Sequence, residues 1–434
     1  MSTLKEKLRQ KIAEHRPRTT RLLKEFGNVK VGEVTIEQVI QGMRDIKSLV
    51  TDISYLDPLE GIRFRGKTIP EVMEILPKPA GKDYPYVEAF WFFLLTGEVP
   101  TEKETFEIIE EFKTRSQVPM YVYDILRGMS RDTHPMTMFS IVILAMQRES
   151  EFAKHYEEGY DKTTAWEYMY EDATNIMARI PSIAAYIYRM KYKSDTPIAA
   201  KPELDLGSNF AHMMGIPAPY DDVARMYFII HSDHESGNAS AHTTHLVAST
   251  LSDAYYSLSA GMNALAGPLH GLANQEVLRW LLGVIKRLEG QELTEELMKK
   301  FVIETLDSGQ VIPGFGHAVL RKTDPRYMSQ REFCLKHLPE DKIFKYVDML
   351  YRIVPDILLA KGKAKNPWPN VDAQSGVIQW FYGVKEYDFY TVMFGVGRAM
   401  GVLANITWDR ALGYSLERPK SLTTDMLEKI AGIQ

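Results

Sequence analysis

The feature that most constrains this chain is the period of its apolar residues. Over most of the 434 positions they recur every three to four residues, the spacing that stacks side chains on one face of an α-helix. Residues 271–289 show it plainly: Val277, Leu281, Ile285 and Leu288 make one stripe, and Leu278, Leu282 and Val284 widen it. Strand signals are sparse. Short β-branched stretches at 29–36 and 61–67 predict no more than a small sheet, and strand and helix patterns never alternate as a doubly wound fold requires. The period predicts an all-α fold with minor short strands near the N-terminus.

With 45% apolar and 25% charged residues, the chain can bury a core large enough for one big domain or two unequal ones. Net charge is −5 and the basic residues are dispersed among acidic ones, so no face is built for nucleic acid and small-molecule partners are expected. Cys334 is the single cysteine and has no internal partner for a disulfide, which fits a reducing compartment. The densest apolar run, 89–95, is too short to span a bilayer, so no membrane is expected. The first 26 residues mix Glu6, Glu14 and Glu25 with basic residues and lack an apolar signal core; they predict an amphipathic surface helix and a cytoplasmic protein. A trimmed precursor would look the same, which leaves the mitochondrial matrix as the alternative.

Glycine and proline cluster at 77–85, 217–221, 267–271, 311–317 and 363–370, and the last three clusters carry the residues with chemistry. Four of the eleven histidines, His231, His234, His242 and His245, fall close together. Paired at i, i+3 with no cysteine nearby, they match helical metal-site spacing poorly, so no metal is expected. His242 and His245 fit a hydrogen-bonded core role, while Asp233 and Glu235 stand ready to orient His231 and His234 toward an anion.

His270, in Gly-Pro-Leu-His-Gly, precedes the amphipathic stretch above, where a helix N-terminus would keep its ring neutral; it reads either as an electrophile or as a helix cap. His317 ends the apolar loop Val311-Ile312-Pro313-Gly314-Phe315-Gly316, whose bare backbone could lie against a flat ligand, and Arg321 and Arg326 follow it. Asp372 ends a proline-stiffened approach to another helix and by composition reads as its N-cap. Arg398 is the sole charge between Val392 and Leu403; buried there, it must meet an anion, either an internal carboxylate or a substrate's. Arg418, near the C-terminus, reads as exposed.

In order along the chain, His231–Glu235, Gly267–Gly271, the Gly-His-Ala-Val-Leu-Arg-Lys-Thr-Asp-Pro-Arg run at 316–326 and the Lys-Asn-Pro-Trp-Pro-Asn-Val-Asp run at 365–372 resemble the signature segments of citrate synthases. Segments 63–66 and 417–421 are similar too, so the resemblance spans nearly the whole chain.

The resemblance implies a helical fold with a large domain, 1–270 plus 377–434, and a small one, 271–376, closing over acetyl-CoA and oxaloacetate. It implies a homodimer in which Arg418 reaches the partner's site, reversing the exposed reading. By the same resemblance Asp372 is the base, His270 donates to the thioester oxygen and His317 polarises the ketone. His234, Arg326, Arg398 and Arg418 hold oxaloacetate. Val311, Ile312, Gly314, Phe315, Gly316 and Asn370 receive the adenine end of coenzyme A, and Arg44 and Arg321 its phosphates. No metal or redox cofactor is implied. Lys162 stands where some relatives carry an arginine, and Ser236 where a glycine is common. A single methylene is worth only about 1–3 kcal/mol of discrimination, so a 2-methylcitrate synthase using propionyl-CoA is the near alternative. A metal-dependent hydrolase on the histidine cluster and a non-catalytic helical scaffold are the remote ones.

Overall fold

The computed structural model describes residues 2–193, 197–288, 290–317, 319–362 and 366–433. Glu289, Ala318 and Lys363 to Lys365, which belong to segments singled out above, lie outside the described residues.

Helices make up 64% of the structure and strands 3%, so the class is all-α. The N-terminal helix, Thr3–Phe26, is amphipathic as expected, burying Leu4, Leu8 and Ile12. The one sheet is a small antiparallel meander of Ser54–Asp57, Gly61–Phe64 and Lys67–Thr68, with Ser54 opposite Phe64 and Arg63 opposite Thr68. Residues 29–34 are not part of it. Only Val29 and Val31 alternate there, no strand among the described residues pairs with the segment, and its valines stay exposed. Start signals are written locally: Thr68 with Glu71 and Thr101 with Glu104 form reciprocal capping boxes.

The centre of the molecule is the helix Tyr390–Leu412, packed against Ala165–Tyr188, Tyr220–His231, Ala239–Ser249 and Ala254–Leu265. Among the described residues it is the one helix, counted with its lead-in from Tyr387, long and apolar enough to cross a membrane, and its most apolar stretch is wholly buried in protein. Small residues let its neighbours come close: a Cβ at Gly401 would collide with the Ser232 carbonyl and the Asp233 side chain. That approach brings the 231–235 turn beside Arg398.

A second group of helices, Ala273–Arg287, Glu295–Asp307, Pro325–His337, Lys342–Ala360 and Asp372–Phe381, packs mainly on itself. Val277, Leu278, Leu281, Val284 and Leu288 are buried there, as the helical stripe predicts. The expected domain boundary at Gly376 falls inside the Asp372–Phe381 helix, a single hydrogen-bonded unit, whereas the boundary at 270 falls in a turn.

Candidate active site

The loop carrying His317 is zipped to the one carrying Asp372. Gly316 donates its N–H to the Trp368 carbonyl at 2.9 Å, Asn370 donates to Gly314 at 2.9 Å, and the Asn370 side chain donates to the Gly316 carbonyl at 3.0 Å. Gly314 has φ +80°, and a Cβ there would stand 2.7 Å from the Ala373 Cα, so glycine is required on both counts. Asp372 is the first helical residue, one place past the N-cap position that composition suggested; Val371 occupies the cap. Its carboxyl is half-buried, and burial pushes its pKa up to about 6 against the opposing pull of Arg326.

Two imidazoles are fixed as neutral donors. The Nδ1 of His317 accepts the backbone N–H groups of Val319 and Leu320, at 3.0 and 3.1 Å. A backbone N–H can only donate, so Nδ1 is unprotonated and a neutral ring carries its proton on Nε2. His270 is the mirror case: its Nε2 accepts the N–H of Ser240 at 3.3 Å and lies 2.9 Å from the Ser240 hydroxyl, which leaves the proton on Nδ1. Burial lowers both pKa values to about 4, helped by Arg326 at His317 and by Arg398 at His270. The helix N-terminus that meets His270 is that of Ala239–Ser249, through the Ser240 N–H, not that of the helix following it in sequence. Nor is His270 a cap: Leu272 holds that position in the next helix, without a side-chain bond.

Arg398 is 1% exposed and meets no carboxylate among the described residues. It donates to the His231 carbonyl at 3.1 Å, the Asn238 side-chain oxygen at 2.7 Å and the Ser240 hydroxyl at 3.0 Å, all neutral acceptors. Phe394 lies under its guanidinium at 4.9 Å. Burial and Arg326 pull its pKa to about 10, although Asp233 opposes them. A cation held this way is short of an anion, and of the two choices left by the sequence, an outside carboxylate is the one the geometry favours.

Arg326, 4% exposed, differs: its Nε and Nη2 clasp Asp324 at 2.6 to 3.1 Å, leaving Nη1 outside the clasp. His234 lies 5.2 Å from His317, ring centre to ring centre, and its buried Nε2 has no partner among the described residues. Burial first, then Arg326, His317, Arg398 and His270, hold it well below the ordinary histidine range. His234, His270, His317, Asp372, Arg326 and Arg398 thus form one electrostatic cluster drawn from separate parts of the chain.

Several expectations need correcting. Asp233 and Glu235 do not orient the histidines beside them. Asp233 accepts from Ser54 and Asn405, Glu235 accepts the Leu56 N–H, and His231 Nδ1 pairs with the Tyr227 carbonyl at 2.8 Å. His245, buried, bonds Asp409 and Ser236 as its hydrogen-bonded core reading predicts, whereas His242 is only half-buried and pairs with Glu417; no metal-holding trio of side chains converges among the described residues. In the 311–316 loop the Ile312 side chain is buried, at 3% exposure, and Val311 is 76% exposed. Arg44, Lys162 and Arg418 are exposed, and Arg321 bonds the Val319 and Leu320 carbonyls. Ser236, the unusual residue, bonds His245 through its hydroxyl at 3.1 Å.

Sequence reasoning missed Asn238, Ser240, Asp324 and Phe394. Asn238 and Asp324 carried a local signal, each an N-cap residue, before Ala239–Ser249 and before Pro325–His337 with its proline at the first helical position.

The model of the citrate synthase C-terminal domain family matches residues 42–420. The chain belongs to the citrate synthase family. It is 51% identical to the mitochondrial citrate synthase of Xiphias gladius over 433 residues, covering 99% of this chain and 92% of that one. It is 49% identical to mitochondrial citrate synthase 4 of Arabidopsis thaliana, covering 98% and 90%. Among solved structures, the citrate synthase of Pyrobaculum aerophilum superposes with a TM-score of 0.77 at 27% identity, covering 89% of this chain and 92% of that one. That of Thermotoga maritima gives 0.72 at 25%, covering 90% and 96%. The activity that goes with membership is citrate synthesis, an acyl transfer.

Proposed function

We propose that this chain condenses acetyl-CoA with oxaloacetate through the cluster just described. Asp372 removes a methyl proton; His270 donates from Nδ1 to the thioester oxygen as the enolate forms; His317 donates from Nε2 to the ketone of oxaloacetate. The enolate carbon bonds the ketone carbon, the ketone oxygen takes up a proton, and water then cleaves the thioester to release citrate and coenzyme A. His234, Arg326 and Arg398 hold the carboxylates. A carboxylate is a weak base against a carbon acid, so proton removal has to be coupled to stabilisation of the oxygen. One preorganised donor contributes about 2.7–4 kcal/mol. The observation that carries the reading is the pair of imidazoles whose acceptor nitrogens are filled by backbone N–H groups.

Neither metal nor redox cofactor is needed, because a hydrogen-bonded ketone is already the electrophile. Coenzyme A lies along Val311–Gly316 and Asn370, with Arg44 and Arg321 toward its phosphates. The helices 273–381 form the mobile lobe, hinged at the turns 266–272 and 382–385. A homodimer accounts for the exposed apolar residues Val29, Val31, Ile40, Leu422, Met426 and Ile430, which need covering by a second copy. Arg418 of that copy completes the oxaloacetate grip. The mitochondrial names of the relatives favour the matrix over the cytoplasm. Thiol release in the presence of oxaloacetate tests substrate choice: acetyl-CoA turns over faster than propionyl-CoA, and the reverse order would overturn the assignment.

A further inference from the structure

Arg418 sits on a segment with little else to hold it. Residues 414–423 have no regular structure. Among the described residues, the hydrogen bonds of 415–422 are those of Glu417 alone. Its carboxylate lies 3.0 Å from His242 Nε2, and its N–H donates to the Ser249 hydroxyl at 3.1 Å. Beside this anchor is a cavity of about 260 Å³, lined in part by Val50, His245, Asp409, Tyr414 and Glu417, so close packing does not fix the segment. The anchoring residues are both on the Ala239–Ser249 helix. At the opening of that same helix Asn238 and Ser240 hold Arg398, and Ser240 also holds His270.

We propose that Glu417 is a positioning residue for Arg418: the His242–Glu417 pair, braced by Ser249, sets where the Arg418 guanidinium stands. One helix then fixes His270 and Arg398 in its own site and, through Glu417, the arginine offered to the partner's site. The inference rests on the reading that Arg418 grips oxaloacetate. The pair is partly exposed, with side-chain exposures of 32% and 25%, and such pairs contribute little to stability. Its loss therefore alters placement without unfolding the chain.

The test is a kinetic mutant cycle on the purified dimer with Glu417→Gln, His242→Gln, Arg418→Ala and the double variant Glu417→Gln/Arg418→Ala. Loss of positioning raises the oxaloacetate KM about five- to tenfold in both E417Q and H242Q, while kcat and the acetyl-CoA KM change less than about twofold. Once Arg418 is alanine, adding E417Q changes nothing further, because the two act through one contact. If R418A leaves the oxaloacetate KM unaltered, the reading of Arg418 itself fails. If R418A raises it but E417Q does not, or if E417Q still adds to R418A, the positioning inference alone is overturned.

Discussion

At the scale of single residues, the site is made of groups kept away from their comfortable protonation or pairing. Asp372 has its pKa raised from 3.8 to about 6, and an acid whose folded value exceeds its unfolded value costs stability that grows as pH passes the unfolded value and is complete above the folded one. Asp372→Asn should therefore be more stable than the native protein at pH 8, by about 1–3 kcal/mol and with a higher melting temperature, and nearly equal to it at pH 4. Calorimetry at both pH values checks this. Arg398→Met should likewise raise the melting temperature of the free enzyme, since an arginine without a carboxylate leaves, and should abolish the stabilisation that oxaloacetate gives. Unchanged stabilisation by oxaloacetate would mean that the anion of Arg398 lies elsewhere. The turns that carry His270, His317 and Asp372 were legible from their glycines and prolines, whereas composition alone read Asp372 as a cap and the roles of all three came from the family resemblance. The tautomers of the two histidines were not legible, because the donors that set them come from Ser240, Val319 and Leu320, whose placement is a tertiary fact.

At the scale of elements, helical period located the helices well, since burial on one face leaves a regular trace. The β-branched strand signal failed at 29–36, where no strand among the described residues pairs with the segment and Ile36 opens a short helix. The apolar run Val392–Leu403 reads as a buried helix and lies within the central helix Tyr390–Leu412, whose glycines meet the neighbouring helices closely. Those glycines matter through distance rather than flexibility. Gly401→Ala should cost about 1–3 kcal/mol by overpacking against Ser232 and Asp233. Because that contact seats the 231–235 turn, the same variant should raise the oxaloacetate KM more than the acetyl-CoA KM. Urea denaturation and steady-state kinetics read the two effects separately, and a destabilised variant with native kinetics would detach the turn from the site.

At the scale of the whole molecule, loops as far apart in sequence as His234 and Asp372 meet only because a central helix and a second helical group fold around them. Which copy supplies Arg418 can be read from mixed dimers. An Arg418→Ala chain paired with an Asp372→Asn chain should regain activity, because one of its two sites keeps both an intact Asp372 and an intact Arg418 from the other chain; arginine acting within its own chain would leave the hybrid dead. The central claim, a carboxylate base working beside neutral imidazole donors, is tested most directly by exchange of the methyl protons of acetyl-CoA with solvent, in the presence of a dicarboxylate that lacks the ketone. The native enzyme should exchange them with an acid limb near pH 6, and Asp372→Asn should exchange them slower by a factor of about 10²–10⁴ while still binding oxaloacetate. Exchange at the native rate in Asp372→Asn would contradict the account.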